Sequence, residues 1–173
     1  ADEMISTKEG LTCKNNHHFD RAKSGYVNLL LSQKAKEKQH GDDKGMIKAR
    51  RDFLDKGYYT PLASEIISIL DNCLQSKAKI LDAGCGECWY TQKIAEHLFA
   101  KGNGGEIFGI DVSKDALALG AKRGTHIELA VASIFRLPVK DDYCDGVFNL
   151  FAPSSENEFC RVLKKGGILL RVV

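Results

Sequence analysis

The sequence predicts an α/β fold in which helices cover both faces of a mostly parallel sheet. From about residue 77, short apolar runs alternate with helical stretches, which is typical of a parallel sheet. The length of 173 residues suits one globular domain with a small appendage. A composition of 43% hydrophobic and 28% charged residues excludes a disordered or low-complexity chain.

Five apolar runs are expected to form the strands. In chain order they cover residues 79–82, 106–111, 126–131, 146–150 and 167–173. Parallel neighbours require crossover connections, which are right-handed in nearly all known sheets. The last run would leave an exposed apolar edge, which folded proteins usually avoid. We therefore expect a further C-terminal portion beyond this run.

Helices are expected before and between these strands. They are predicted over residues 44–54, from residue 60, and over 90–99 and 114–122. The apolar positions of the first two helices are expected to be buried: Met46, Ile47, Phe53 and Leu54 in the first, and Leu62, Ile66, Ile69 and Leu70 in the second. Thr60, which precedes a proline, is predicted to cap the second helix, and Ser113 the last.

Charge divides the chain into two parts. Residues 1–51 carry 11 Lys or Arg against 7 Asp or Glu, whereas the remainder is slightly acidic. This basic third is the better candidate for contact with a polyanion. We predict a separate small module over 1–42, ahead of a main domain over 43–173. Neither a membrane span nor a secretory signal is recognisable, so a cytoplasmic protein is expected.

The six cysteines have irregular spacing, and a chain with this apolar content needs no disulfide framework. Cys85 and Cys88 form a C-x-x-C pair, which alone is compatible with redox chemistry or half of a zinc site. Both lie within the loop of Gly84 and Gly86, and a ligand-binding role of these glycines explains the loop without redox chemistry. A structural role is therefore favoured over redox chemistry.

That glycine loop is the most specific feature of the sequence. In ILDAGCGE, residues 80–87, Gly84 and Gly86 follow a predicted strand and let the backbone approach a nucleotide-like ligand. Trp89 stands where a dinucleotide fingerprint has its third glycine, which disfavours NAD. Asp111 ends the next strand, where a carboxylate either accepts hydrogen bonds from both ribose hydroxyls or caps the following helix.

The order of LDAGCG, FGIDVS and RVLKKGG resembles the class I S-adenosylmethionine-dependent methyltransferases, which have a Rossmann-like fold. The resemblance implies cofactor-binding residues at the carboxyl ends of the strands: Gly84, Gly86 and Glu87 for the methionine part, Asp111 for the ribose, Ala132 and Ser133 for the adenine, and Asn149, through its backbone, near the transferred methyl group.

A narrower resemblance covers almost the whole chain. The segments CKNNHHFDRAKSGYVNLL, ARRDFLDKGYYTPL and FAP are similar to those of bacterial 23S ribosomal RNA (guanine-N1)-methyltransferases. This resemblance implies methylation of a guanine in a hairpin of the peptide exit tunnel, and cofactor contact by Tyr59. Ordinary packing is the alternative role for this tyrosine. The choice of guanine and the pairing of two copies of the chain stay open.

Members of that family begin with a zinc module of three Cys and one His. Cys13 and His17 match its last two ligands, and His18 is a substitute for His17. The first two cysteines would precede residue 1, so we expect the N-terminus to be incomplete as well. Two ligands cannot close a tetrahedral structural site, and an ordinary polar loop is the alternative.

Guanine N1 carries a proton near neutral pH, so a general base would assist methyl transfer to it. Residues 151–155 contain no obvious base, and Asp145 begins its strand, away from the expected reaction end. No catalytic residue is therefore predicted.

Basic residues of the N-terminal module are expected to hold the RNA backbone through its phosphates. They are Lys14, Arg21, Lys23, Lys34, Lys36 and Lys38. Two other functions stay open: a methyltransferase for quinones or other small metabolites, and a nucleic-acid-binding protein with a vestigial cofactor site. The basic module argues against the first, and the intact glycine loop against the second.

Overall fold

The computed structural model describes five ranges of the chain: 4–7, 9–30, 43–102, 104–124 and 126–173. Lys34, Lys36 and Lys38, which are predicted to contact RNA, lie outside these ranges.

A small antiparallel sheet comes first and is called the N-terminal ribbon. Its three consecutive strands are β1 (Met4–Ser6), β2 (Gly10–Cys13) and β3 (His18–Asp20). Arg21 follows directly and is half-buried. Its guanidinium donates to the carbonyl oxygen of Gly25 at 3.0 Å and lies 3.5 Å from the carboxylate of Glu128. Arg21 thus has partners within the protein, and its predicted contact with RNA phosphates stays a prediction.

The main sheet has six strands: β4 (Val27–Asn28), β5 (Lys79–Ala83), β6 (Glu106–Asp111), β7 (Glu128–Val131), β8 (Cys144–Leu150) and β9 (Leu163–Val172). Their order is β4-β7-β6-β5-β8-β9, and all neighbours are parallel. The five predicted strands are confirmed. β4 was not expected, because two residues give no apolar run. It joins the predicted 1–42 module to the main sheet, while the boundary at residue 42 stays a prediction.

Five helices accompany the strands: α1 (Lys44–Leu54), α2 (Thr60–Cys73), α3 (Trp89–Ala100), α4 (Lys114–Gly120) and α5 (Glu156–Val162). Ser113 caps α4 as predicted, since its side-chain oxygen accepts the backbone N–H of Ala116 at 3.2 Å. The predicted cap of α2 is wrong by one residue. Tyr59 occupies the cap position there, and Thr60 is already helical.

The core lies on both faces of the main sheet. On one face, Ile66 and Leu70 of α2 pack with Ile94 of α3 against the strands. On the other, Phe159 and Val162 of α5 pack with a second apolar cluster. Helices on both faces are thus confirmed.

Three apolar residues predicted to be buried are instead exposed: Met46, Phe53 and Ile69. Ile47 and Leu54 supply the buried face of α1, and Ala63 contributes to that of α2. Within the described ranges, no helix is both long and apolar enough to cross a lipid bilayer.

Strand order reverses between β5 and β8, because β6 and β7 extend the sheet on one side of β5 and β8 and β9 on the other. In open α/β sheets the loops at such a reversal diverge and leave a crevice at the carboxyl ends of the strands. The residues after β5 and β8 are therefore the first place to look for a ligand site.

Candidate functional site

A cavity of about 930 Å³ opens at this crevice. It is lined by residues from α1, the glycine loop, the end of β6 and the segment after β8. Six of the eight residues predicted to bind a cofactor are among them: Tyr59, Gly84, Gly86, Glu87, Asp111 and Ser133. Ala132 and Asn149 are buried and are not part of the lining.

Gly84 and Gly86 give the loop after β5 its shape. Gly84 has a φ of +92°, and a Cβ atom there would lie 2.5 Å from that of Ala152. Gly86 has a φ of +55° and open space around it. A side chain at Gly84 would therefore push the loop away from the segment after β8, whereas Gly86 exposes bare backbone to the cavity.

Asp111 is held by backbone donors. Its carboxylate accepts the N–H of Gly86 at 2.9 Å and the N–H of Ser113 at 2.8 Å. Because Ser113 is the cap of α4, the alternative role of Asp111 as the helix cap is excluded. A carboxylate that lines the cavity at the end of β6 is an acceptor of the kind that a ligand diol requires.

Glu87 belongs to a buried ionic network. Arg123 donates to its carboxylate and, at 2.9 Å, to that of Asp55, and the Arg51 guanidinium lies 4.0 Å from Glu87. Burial nevertheless raises the pKa of Glu87, against the opposing effect of Arg123. Oε1 of Glu87 has no hydrogen-bond partner within the described structure. Glu87 lines the cavity, and a buried acceptor without a partner suits a ligand ammonium group.

Asp82 lies behind the loop and outside the cavity lining. Its carboxyl accepts a hydrogen bond of 2.6 Å from the Thr91 hydroxyl. Burial raises the pKa of Asp82 to about 7, and the charge of Asp111 acts in the same direction. Asp82 therefore supports the loop from inside and is not placed to touch a ligand.

Asn149 fixes the segment that follows β8. Its side-chain amide donates to the carbonyl oxygens of Ala83 at 2.8 Å and Pro153 at 2.9 Å. The side chain thereby ties the end of β5 to the loop after β8. This bracing was not anticipated from the sequence, which pointed only to the backbone of Asn149; the backbone role stays a prediction.

Sequence reasoning missed the aromatic side of the cavity. Phe53, Phe135 and Phe151 line it together with Trp89 and Tyr90. The sequence points to the FAP segment through its resemblance alone, and the helical pattern predicts a core position for Phe53. Phe151 could have been found from the sequence, because it directly follows the apolar run that forms β8. A residue at that place lies at the carboxyl end of the sheet, where the cavity opens.

Cys85 and Cys88 pack within the glycine loop as free thiols. A Cβ added at Gly109 would lie 2.9 Å from Sγ of Cys85, and one added at Gly120 would lie 2.6 Å from Sγ of Cys88. Burial raises the pKa of Cys85 well above its ordinary value, which disfavours the reactive thiolate. These contacts favour the predicted structural role.

The predicted metal ligands meet in the N-terminal ribbon. Sγ of Cys13 lies 3.3 Å from Nδ1 of His17, whereas His18 contacts the hydroxyl of Thr12 at 3.0 Å. Of the two histidines, His17 is thus the partner of Cys13. The described ranges contain no group of three or more potential metal ligands. These two donors alone do not fit the tetrahedral coordination of structural zinc.

Two family models match the chain. The one described as "Methyltransferase domain" covers residues 80–167, and one for a zinc ribbon, described as "RlmA, N-terminal", covers residues 1–38. The first match includes the glycine loop and most of the cavity. The second covers the ribbon, with the predicted metal ligands Cys13 and His17.

Relatives fall into two kinds. A 23S rRNA (guanine(748)-N(1))-methyltransferase of Streptomyces fradiae is 32% identical over 99% of this chain. This chain spans 60% of the length of that relative. A demethylmenaquinone methyltransferase of Bacillus velezensis is 37% identical, but over 51% of this chain and 39% of its own length.

Solved structures match the fold. A Methanococcus maripaludis protein, provisionally described as an S-adenosyl-L-methionine-dependent methyltransferase, superimposes with a TM-score of 0.63 at 20% identity. The match covers 79% of this chain and 67% of the other. At this identity the likeness establishes the arrangement of strands and helices.

Proposed function

The chain belongs to the methyltransferase-domain family and has its class I fold, and from this premise we propose that it methylates N1 of a guanine in a 23S ribosomal RNA hairpin, with S-adenosylmethionine as methyl donor. One observation carries the choice of substrate. The similarity to the rRNA-methylating relative runs through 99% of the chain and includes the N-terminal ribbon. The similarity to the quinone-methylating relative covers only 51% and leaves about half of the chain unexplained.

The cavity suits S-adenosylmethionine in its chemistry. Asp111 is a fixed acceptor for the two ribose hydroxyls, and Gly86 allows close approach of the ligand to the backbone. The unpartnered Oε1 of Glu87 is an acceptor for the ammonium group of the methionine part. Ser133 is proposed to lie beside the adenine and Tyr59 to cover the ligand from the side of α2.

S-adenosylmethionine supplies an electrophilic methyl group on a sulfonium centre. The protein must align this carbon with N1 of guanine and exclude water. Gly84 and the segment after β8 approach each other closely, and both line the cavity. Asn149 holds that segment in place through its two hydrogen bonds. We therefore propose Asn149 as a positioning residue.

The proton on guanine N1 needs an acceptor. Among the described residues lining the cavity, the carboxylates are Glu87 and Asp111, and both are engaged in the contacts given above. Neither is assigned as a base. Orientation and dehydration of the guanine are the contributions that this part of the chain makes to the reaction.

The proposal is tested by methyl transfer to an unmodified hairpin that contains guanine 748 of 23S rRNA and its neighbours. Mass spectrometry of the nucleosides identifies 1-methylguanosine, and arrest of reverse transcription locates it. Asp111→Asn is expected to slow transfer about tenfold or more, because charge-assisted bonds to the ligand are lost. Asp115→Asn, at an exposed carboxylate on α4, is the matched control and is expected to retain the rate.

If the protein methylates a quinone and not the hairpin, the proposed function is wrong and the small-molecule methyltransferase alternative is favoured. Binding of S-adenosylmethionine and RNA without any transfer would favour the vestigial alternative. Demethylmenaquinone is therefore assayed alongside the hairpin, under the same conditions.

A further inference from the structure

The exposed aromatic side chains of the described chain gather at one place. They are Phe53 (45% exposed), Tyr58 (66%), Phe135 (64%) and Phe151 (50%). Three of them line the cavity, and the ring of Tyr58 packs on that of Phe53 with centroids 5.5 Å apart. We call these four residues the aromatic rim. Single exposed apolar residues are ordinary, but a cluster at a cavity mouth marks a surface that binds something.

Ring contacts connect the rim to the interior of the site. The centroids of Phe53 and Tyr59 lie 5.8 Å apart, those of Tyr59 and Phe151 6.0 Å, and those of Phe151 and Tyr90 6.3 Å. The ring planes of Tyr59 and Phe151 are perpendicular. The two rings therefore meet edge to face, and Phe151 is still 50% exposed.

Phe151 adopts a backbone conformation that bulky residues rarely take. Its φ is +53°, directly after the buried strand β8. The N–H of Phe151 donates to the carbonyl oxygen of Val172 at 2.9 Å, and Asn149 holds Pro153 on the other side. Such strain persists only where the surroundings impose it, and it is concentrated at functional sites. The imposed conformation keeps a phenyl ring half-exposed at the cavity.

The charges around the rim suit a polyanion that carries flat aromatic groups. Arg50 of α1 lines the cavity beside Phe53, and Arg136 directly follows Phe135 and is exposed. Aromatic faces with neighbouring guanidinium groups are the usual means of holding single-stranded RNA, whose bases stack on the rings while its phosphates meet the cations. An apolar peptide would gain nothing from these cations.

We propose that the aromatic rim receives splayed nucleobases of single-stranded RNA and that Phe151 stacks on the base to be methylated. The inference rests on the proposed function and adds to it the means by which the guanine is held next to the cofactor. Phe53 and Tyr58 lie farther along the rim and would meet the neighbouring nucleotides.

The test compares two RNA hairpins that differ only at the target guanine, one intact and one abasic at that position. Wild-type protein is expected to bind the intact hairpin about tenfold more tightly, since one base–aromatic stack has an effect of this order. Phe151→Leu keeps an apolar side chain and removes the ring, so its preference is expected to fall below about twofold. Phe151→Tyr keeps the ring and is expected to retain the preference.

Two controls separate the inference from protein damage and from the proposed function. Circular dichroism and thermal unfolding must give the same spectrum and midpoint for wild type, Phe151→Leu and Phe151→Tyr, which shows that the fold is intact. If the intact hairpin is methylated but Phe151→Leu keeps the full preference, the inference is overturned and the proposed function stands. If wild type neither binds nor methylates the hairpin, both are overturned.

Discussion

The cavity and the N-terminal ribbon differ in how much of each site the described chain supplies. In the cavity, the Asp111 carboxylate accepts hydrogen bonds from the backbone N–H groups of Gly86 and Ser113 at one end of the sheet. In the ribbon, Cys13 and His17 meet at 3.3 Å, and no third ligand joins them within the described ranges. The cavity is thus organised by the fold itself, whereas the ribbon holds half of a possible coordination sphere.

This difference predicts that substitutions in the ionic network of Glu87 and Arg123 lower the stability of the protein strongly. Substitutions in the ribbon are expected to leave the cavity unchanged. The largest effect is expected for Arg123→Met, which leaves the buried carboxylate of Glu87 with Arg51 at 4.0 Å. Breaking a buried ion pair from one side costs about 3–5 kcal/mol. Urea denaturation measures the loss, with Lys122→Met, at an exposed neighbouring residue, as the control.

The double variant Arg123→Met with Glu87→Gln sharpens this prediction. Removing both charges is expected to recover part of the lost stability, because no unpaired buried charge remains. If Arg123→Met is as stable as the control Lys122→Met, the ionic network of Glu87 and Arg123 does not stabilise the glycine loop.

A second effect is expected in the pH dependence of stability. The pKa of Asp82 is about 7 in the folded protein, above its ordinary value near 4, so the folded state binds more protons between these values. The free energy of unfolding should therefore fall as the pH rises from about 4 to about 7, by about 3 kcal/mol from this group. The contribution is fully present below the unfolded pKa.

Asp82→Asn isolates that contribution, since an amide does not titrate and its oxygen can still accept from Thr91. The difference in unfolding free energy between wild type and Asp82→Asn is expected to change by this amount across the range. If the unfolding free energies of the two proteins change equally with pH between about 4 and 7, Asp82 is charged in the folded protein over this range, contrary to the prediction.

A third prediction concerns the glycine loop. Gly84→Ala introduces a Cβ at a φ of +92° and 2.5 Å from that of Ala152. We expect a stability loss of about 2 kcal/mol from backbone strain and crowding, together with loss of cofactor binding. Gly102→Ala also has a positive φ but meets open space, so thermal unfolding and cofactor titration of this variant provide the matched comparison.

The smallest effect is expected in the ribbon. Cys13→Ala, or treatment with a zinc chelator, should change the affinity for S-adenosylmethionine less than twofold, because no residue before Ile47 lines the cavity among those described. Isothermal titration with and without chelator measures this. A large change would mean that the ribbon and the cavity are coupled, contrary to the comparison drawn above.

The sheet and the glycine loop were predictable because each depends on a short continuous stretch of chain. Residues 106–111 form a strand as predicted, and Gly84, Gly86 and Asp111 meet as the motif order implies. Parallel strands bring their carboxyl ends to one edge of a sheet, so motifs after consecutive strands converge without further information.

Contacts between distant segments were not predictable. The hydrogen bonds from Arg123 to Glu87 join residues 36 apart in sequence, and the hydrogen bond from the Asn149 side-chain amide to the Ala83 carbonyl joins residues 66 apart. The helical period of the apolar residues predicts a core position for Phe53, but this period cannot show that a cavity lies beside the side chain. The two-residue strand β4 leaves no periodic signal at all.

The central claim is that this cavity binds S-adenosylmethionine through Asp111. Isothermal titration of wild type, Asp111→Asn and Asp115→Asn with S-adenosylmethionine tests it most directly. Wild type and Asp115→Asn are expected to bind one equivalent with the same affinity, and Asp111→Asn at least about tenfold more weakly. Binding that is absent from wild type, or unaffected by Asp111→Asn, would contradict the claim.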